Sequence, residues 1–324
     1  HLWDIDEGFS KIDKYMESTN DLIRAGAYMA VGIINSGIKN DNDPVFALLS
    51  DHVDSDNEYT KIGALMGLSF TYAGTAREDI LELVSPIVLD GENSVEVSSI
   101  GALVLGLIFL GTCNDEVANC IIQTCMEREP QDLDNPHSRY YALGLGLLYF
   151  GKQDVVEASL MGISVIEHPI RRFMEILMKG WAYACSGNVL QIQELLHVCA
   201  EHEEKKEEEK GEEGKEENKE NENKNTNHFQ SAAVLSLALI AFGEDVGSEM
   251  ALRSMNHLLQ YGEPEMKKAV PLAISLICIS QGAGAGGKNN QIMDLLSKLS
   301  YDQDNEIAIN ATLAQGLIWA GTNN

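Results

Sequence analysis

The feature that most constrains this chain is a repeat of about 37 residues that runs along its whole length. Eight apolar segments end in a similar way, at Gly37, Gly74, Gly111, Gly151, Gly187, Gly243, Ser280 and Gly321. Five positions before each end point stands a small residue: Gly32, Ser69, Gly106, Gly146, Ala182, Ala238, Ser275 and Gly316. Small residues on one face of an apolar helix let a neighbouring backbone approach closely. The spacing therefore predicts one closely packed apolar helix in each repeat.

More polar segments lie between these apolar helices, such as EDILELVSPIV (78–88) and NDEVANCIIQTCMERE (114–129). Their apolar residues recur with the period of an amphipathic helix, and the glycine before them supplies the left-handed turn that ends the preceding helix. Alternating β-branched residues and hairpin signals are scarce, which argues against strands. We therefore expect an all-α fold: an α-solenoid of about eight helix pairs, each with an inner apolar and an outer amphipathic helix.

Two intervals exceed the period and locate insertions. The interval between Gly187 and Gly243 contains a charged tract with almost no apolar side chains, which cannot bury enough surface to offset the entropy of ordering it. We predict repeats one to five, with the start of a further outer helix, in residues 1–200, a disordered acidic insertion in 201–228, and the remaining repeats in 229–324. A solvated spacer explains the insertion best; an acidic interaction arm is the alternative.

The second insertion, QGAGAGGKNN (281–290), has the G-x-x-x-x-G-K spacing of a phosphate-binding loop from Gly282 to Lys288. Such a loop follows a strand and places Ser or Thr after the lysine to hold Mg²⁺, whereas Asn289 stands there. The preceding AVPLAISLICIS matches an inner helix, with Ser275 in the small-residue position. We interpret the loop as a glycine-rich insertion; a nucleotide-dependent enzyme that uses Lys288 is the competing hypothesis.

Composition narrows the possible functions further. The net charge is −27, from 50 acidic and 23 basic residues, which disfavours nucleic acid and anionic membranes and favours basic protein partners. The six cysteines form no C-x-x-C pair and the histidines are scattered, so we expect reduced thiols and neither a metal nor a cofactor. No nucleophile signature occurs, and we expect no enzymatic activity. The chain begins without Met and ends just after an apolar segment, which suggests a piece of a longer protein.

Several motifs go beyond a generic solenoid: WDIDEGFSKIDKY (3–15), GTCNDEV (111–117), SGNVLQIQELLHVC (186–199), ALIAFGEDVGSEMALR (238–253), YGEPEMKKAVPLAISLI (261–277) and WAGTNN (319–324). Together they resemble the family of non-ATPase subunit 2 of the 26S proteasome regulatory particle. The resemblance implies proteasome/cyclosome repeats that curl into a toroid, in a non-catalytic scaffold of the cytoplasm and nucleus that sits on the ATPase ring among the other regulatory-particle subunits. It further implies docking of ubiquitin chains, of the ubiquitin-like domains of shuttle receptors, and of a deubiquitinase.

The resemblance places the ubiquitin-docking residues on the outer helix after G-T-C-N, at Glu116, Gln123 and Glu127. At about 100° per residue, Gln123 and Glu127 lie roughly 20° to either side of Glu116, whereas the apolar Val117, Ile121 and Cys125 lie on other sides of the helix. Cys120 falls within the polar stripe, and we expect it to contact the apolar patch that ubiquitin is implied to carry inside a ring of basic residues. An acidic stripe with an apolar centre would complement that face.

Three further expectations concern the surroundings of this helix. The family has Gly-Asp where this chain has Asp115 and Glu116, so the helix should form but the reach of its acidic side chain changes. The helices in REDILELVSPIV and QDVVEASLMGISVI should flank the stripe, because consecutive repeats stack in parallel. The resemblance places deubiquitinase docking in the earlier repeats, near Ile12 and Asp13. Two alternatives stay open: a merely solvated face, and a purely architectural solenoid that does not contact ubiquitin.

Overall fold

The computed structural model describes residues 5–38, 43–201, 229–279 and 288–320, and every regular element within these ranges is helical. The predicted all-α class is confirmed. None of the described helices is both long enough and apolar enough to cross a membrane. The chain divides into two compact units, residues 1–174 and 175–324.

The first unit contains the first four helix pairs. Its helices are α1 (Ile5–Met16), α2 (Asp21–Ile34), α3 (Pro44–Val53), α4 (Glu58–Tyr72), α5 (Glu78–Leu89), α6 (Val95–Ile108), α7 (Asp115–Glu127), the single turn α8 (Pro130–Leu133), α9 (Arg139–Leu148) and α10 (Val156–Ile163). The inner helices α2, α4, α6 and α9 alternate with the outer helices α3, α5, α7 and α10. Inner helix α6 is buried on nearly every side, whereas outer helix α7 is buried on one side only. This difference confirms the predicted division between apolar and amphipathic helices.

The second unit repeats the same alternation. Its helices are α11 (Ile170–Ala182, which begins within the first unit), α12 (Val189–Ala200), α13 (229–240), α14 (Asp245–Tyr261), α15 (Pro264–Ile279), α16 (Lys288–Leu299) and α17 (Asn305–Trp319). Helices α11, α13, α15 and α17 are the inner ones. Among the described residues, an inner helix therefore precedes each of the eight end points that the sequence marks. Ser275 is fully buried in α15, which confirms an inner helix, and not a strand, before the glycine insertion.

The small residues bring pairs of inner helices into backbone contact. A Cβ atom added to Gly32 would lie 2.6 Å from the Cα of Gly67, and one added to Gly106 would lie 2.6 Å from the Cα of Gly144. Real Cβ atoms do not approach so closely, so only glycine permits this packing of α2 on α4 and of α6 on α9. The predicted role of the small residues is confirmed at these positions.

The turns after the inner helices form a second repeated contact. The backbone N–H groups of Gly74 and Ala76 donate to the carbonyls of Leu107 and Ile108 at 2.9 and 3.0 Å. In the next repeat, the N–H groups of Gly111 and Cys113 donate in the same way to the carbonyls of Leu147 and Leu148 at 3.1 and 3.2 Å. Each turn thereby satisfies carbonyls at the end of the next inner helix, where intrahelical donors are missing.

The same contact corrects the alignment of repeat five. There, Cys185 and Gly187 donate to the carbonyls of Leu239 and Ile240. Cys185 therefore occupies the place of Gly74 and Gly111, and the small-residue position falls on Gly180, whose backbone meets Ser236. The end point at Gly187, with Ala182 in the small position, is wrong by two residues.

Two predicted insertions lie wholly or mostly outside the described residues. The acidic tract is described only at Glu201, and the glycine-rich segment only from Lys288 onward, where α16 begins. The domain boundaries at 201 and 228 and the toroid stay predictions.

Candidate functional site

Outer helix α7 starts at a well-formed cap. The Oδ1 atom of Asn114 accepts hydrogen bonds from the backbone N–H groups of Glu116 and Val117 at 2.8 and 3.3 Å. Asp115 and Glu116 occupy the first turn, where negative side chains are stabilised by the partial positive charge of the helix N-terminus. The G-T-C-N motif thus positions the acidic beginning of α7, and Asp115 is compatible with the helix as expected.

The three side chains that the resemblance singled out lie together on the exposed side of α7. Glu116, Gln123 and Glu127 are all exposed, whereas Val117, Ile121 and Cys125 are buried. The Nε2 atom of Gln123 donates to Oε1 of Glu127 at 2.8 Å, which restrains both side chains. The predicted polar and apolar sides of this helix are confirmed.

The expectation that Cys120 lies on the surface is wrong. Its side chain is only 6% exposed, and its Sγ atom lies 3.9 Å from the backbone oxygen of Ser85 on α5. Burial, with a smaller effect of the nearby Glu116 carboxylate, raises the pKa of the Cys120 thiol to about 11. The thiol is therefore protonated at neutral pH and fills the contact between two outer helices.

The exposed arc of α7 is rotated away from Cys120. Relative to Glu116, Cys120 lies about 40° to one side, whereas Asn119 and Met126 lie about 60° and 80° to the other. Helix α5 covers the first side, and Asn119 and Met126 are exposed on the second. Met126, 52% exposed, is thus the apolar residue beside the acidic stripe. Because Met126 follows Asn119 by seven residues, the sequence places both on nearly the same side of the helix. The sequence does not show which side of α7 is covered by α5.

The flanking helices are those that the sequence predicted. Helix α7 packs against α5 on one side and against α10 on the other. A Cβ atom added to Gly162 of α10 would lie 3.7 Å from Cδ1 of Ile122. Met161, next to this contact, is 75% exposed. Exposed methionines therefore lie on two neighbouring outer helices, Met126 on α7 and Met161 on α10.

The cation that follows the acidic stripe in the sequence is turned away from the exposed side of α7. Arg128 follows Glu127 directly, but its side chain is 8% exposed and its Nη2 atom donates to the backbone oxygen of Asp90 at 3.1 Å. The exposed surface of α7 consequently keeps the negative charge of Asp115, Glu116 and Glu127.

The remaining predicted residues lie on α1. Asp13 is exposed and Ile12 is half-buried, and α1 packs against α2. Ile12 and Asp13 therefore lie on a different helix from Glu116, Gln123 and Glu127. Among the described residues, no group of three or more His, Cys, Asp or Glu side chains is arranged to hold a metal ion.

Comparison with known proteins gives this surface its context. No family model matches the chain. The "26S proteasome regulatory subunit rpn-1" of Neurospora crassa is 43% identical over 326 residues, which cover all of this chain and 34% of the relative. The "26S proteasome non-ATPase regulatory subunit 2" of Dictyostelium discoideum is 42% identical over 323 residues, and homolog A of that subunit from Arabidopsis thaliana is 42% identical over the same length; each is covered to 33%.

The chain is homologous to a segment of the 26S proteasome non-ATPase regulatory subunit 2 family. It spans about a third of the length of the curated relatives it matches. The resemblance that the sequence motifs indicated is thereby confirmed over the full chain. In the structure these motifs correspond to the helix pairs and to the capped helix α7 of this subunit 2 homologue.

Proposed function

We propose that this chain is a non-catalytic scaffold of the proteasome regulatory particle that docks ubiquitin on the exposed side of α7. The observation that carries the proposal is the arrangement of Glu116, Gln123 and Glu127 around one exposed stripe, with Met126 beside it and Arg128 turned inward. A ligand with an apolar patch and a basic rim complements this surface in both charge and polarity.

The relatives support the coarser part of this proposal. Their names describe regulatory subunits of the 26S proteasome, and several describe a non-ATPase subunit. Homology supports a place in the proteasome, with other proteasome subunits as partners. As part of the proposal, the chain acts in the cytoplasm and nucleus, beside the ATPase ring and other regulatory-particle subunits. The ubiquitin-like domains of shuttle receptors would use the same surface as ubiquitin, since they share its chemistry. A deubiquitinase would dock near Ile12 and Asp13, where Asp13 offers an exposed acidic side chain.

The direct test is charge reversal on α7 with a matched control on α14. Glu249, Asn256 and Gln260 are exposed and have the same spacing along α14 as Glu116, Gln123 and Glu127 along α7. Changing the α7 set to Lys should lower the affinity for di-ubiquitin on the order of tenfold, because repulsion replaces attraction at a charged interface. The same change on α14 should leave the affinity unaltered. Calorimetry measures both, and circular dichroism checks that helicity is kept.

Two outcomes would contradict the proposal. Equal affinity of the α7 variant and the unaltered chain would remove the site. No binding of di-ubiquitin to the unaltered chain, even with the avidity that two linked modules provide, would favour the purely architectural solenoid.

A further inference from the structure

The end of α5 is tied to the end of α7 by side chains beneath the exposed stripe. Arg128 caps α7: its backbone N–H donates to the oxygen of Thr124 at 3.1 Å, and its side chain reaches the oxygen of Asp90, the residue that caps α5. Two positions earlier on α5, the oxygen of Val88 accepts from Oγ of Ser98 at 2.7 Å and lies 3.2 Å from Oγ1 of Thr124. Helices α5, α6 and α7 therefore meet at the last carbonyls of α5.

The position of Arg128 follows from the chemistry of a helix end. The last carbonyls of a helix lack intrahelical donors and carry partial negative charge. A guanidinium supplies both a positive charge and several N–H donors in a fixed plane. The burial of the guanidinium is tolerable only because it is hydrogen-bonded there. Its Nη1 atom also lies 3.8 Å from Oδ2 of Asp132. A longer or shorter separation of the two helix ends would break this contact.

We infer that Arg128 is a positioning residue, which sets the distance between the exposed residues of α5 and those at the end of α7 for a ligand that contacts both helices. The inference rests on the proposed docking function. Gln123 and Glu127 lie in the same last turns of α7 as Thr124 and Arg128, whereas Glu116 lies about 18 Å from Arg128 along the helix axis. On α5, Pro86 is exposed about one turn before this end, and Glu82 is exposed one turn further back along the helix. A change at Arg128 therefore alters where Gln123 and Glu127 stand relative to α5.

The binding test compares a disruptive with a conservative substitution. Arg128→Gln should lower the affinity for di-ubiquitin roughly threefold to tenfold, the effect of misplacing one or two hydrogen-bonding groups. Arg128→Lys keeps a charged donor and should restore most of it. Arg253→Gln removes an exposed arginine from α14 and should change nothing. Leu49→Ala, in the buried face of α3, should lower the melting temperature but not the affinity. A loss of affinity with Leu49→Ala as large as with Arg128→Gln would overturn the positioning role.

A distance measurement tests the same role without ubiquitin. In a chain with Cys113→Ala and Cys185→Ala, spin labels at Glu82→Cys and Met126→Cys report the spacing of α5 and α7 by pulsed electron resonance. The distribution should be narrow with Arg128, broaden with Arg128→Gln, and narrow again with Arg128→Lys. An unchanged distribution in Arg128→Gln would overturn the inference whatever ubiquitin does. Broadening in a chain that fails to bind ubiquitin would support the positioning role and refute the proposed function alone.

Discussion

The substitution Gly106→Ala tests whether backbone contact between inner helices holds the solenoid together. The added Cβ would lie 2.6 Å from the Cα of Gly144, whereas carbon atoms in favourable contact are about 3.5–4.0 Å apart. Helices α6 and α9 would therefore have to separate by about 1 Å along their contact. Overpacking of a filled core costs about 1–3 kcal/mol, and the upper part of that range applies because the obstacle is backbone and cannot rotate away.

Part of that cost is offset, since alanine is about 1 kcal/mol better than glycine inside a helix. The net expectation for Gly106→Ala is a loss of about 2 kcal/mol. For a unit of this size the loss lowers the melting temperature by about 4–8 °C. Thermal unfolding followed by circular dichroism measures it.

Gly26 provides the matched control. It also lies inside an inner helix, α2, but a Cβ added there meets nothing within 4 Å. Gly26→Ala should therefore raise the melting temperature by about 2–4 °C, from the gain in helix propensity alone. If Gly106→Ala stabilised the chain as much as Gly26→Ala, the close contact between inner helices would not exist in solution.

Three further predictions concern α7 and the thiols. Asn114→Ala removes the cap of α7 and should cost about 1 kcal/mol of unfolding free energy in denaturant titration, whereas Asn114→Asp should cost little. Cys185 is exposed and should react with a thiol reagent in the folded chain, whereas Cys120 should react only on unfolding; mass spectrometry of labelled peptides distinguishes them. Burial raises the pKa of Cys120 to about 11, so its contribution to stability is complete below the ordinary thiol pKa of 9.0 and is lost as the pH rises toward 11. Melting temperatures should fall across that pH window, and less steeply in Cys120→Ala.

The repeat was predictable because its physical cause is local. A glycine at a fixed distance from a turn has the same effect in each repeat, and it is read directly from the spacing. Repeat five was misaligned because both Cys185 and Gly187 adopt left-handed backbone conformations, with φ of 59° and 61°. Sequence patterns select glycine for that conformation, so the equivalent of Gly111 was missed where the chain has a cysteine.

The composition of the proposed docking surface was only partly predictable. The polar and apolar sides of α7 follow from its helical period, and they placed Glu116, Gln123 and Glu127 correctly on the exposed side. Whether Cys120 or Met126 is the exposed apolar residue beside the acidic stripe depends on which side of α7 is covered by α5. That is a property of the packing between repeats. The inward turn of Arg128 is likewise set by the unsatisfied carbonyls at the end of α5, which the sequence of α7 does not contain.

The most direct measurement of the central claim is a titration of the chain with ubiquitin, observed through the methyl signals of its methionines. Met126 lies beside the acidic stripe on α7, whereas Met250 is 66% exposed on α14 and serves as an internal reference. Docking on α7 predicts that the Met126 signal shifts as ubiquitin is added while the Met250 signal stays in place. Binding that shifts Met250 and leaves Met126 unchanged would contradict the account.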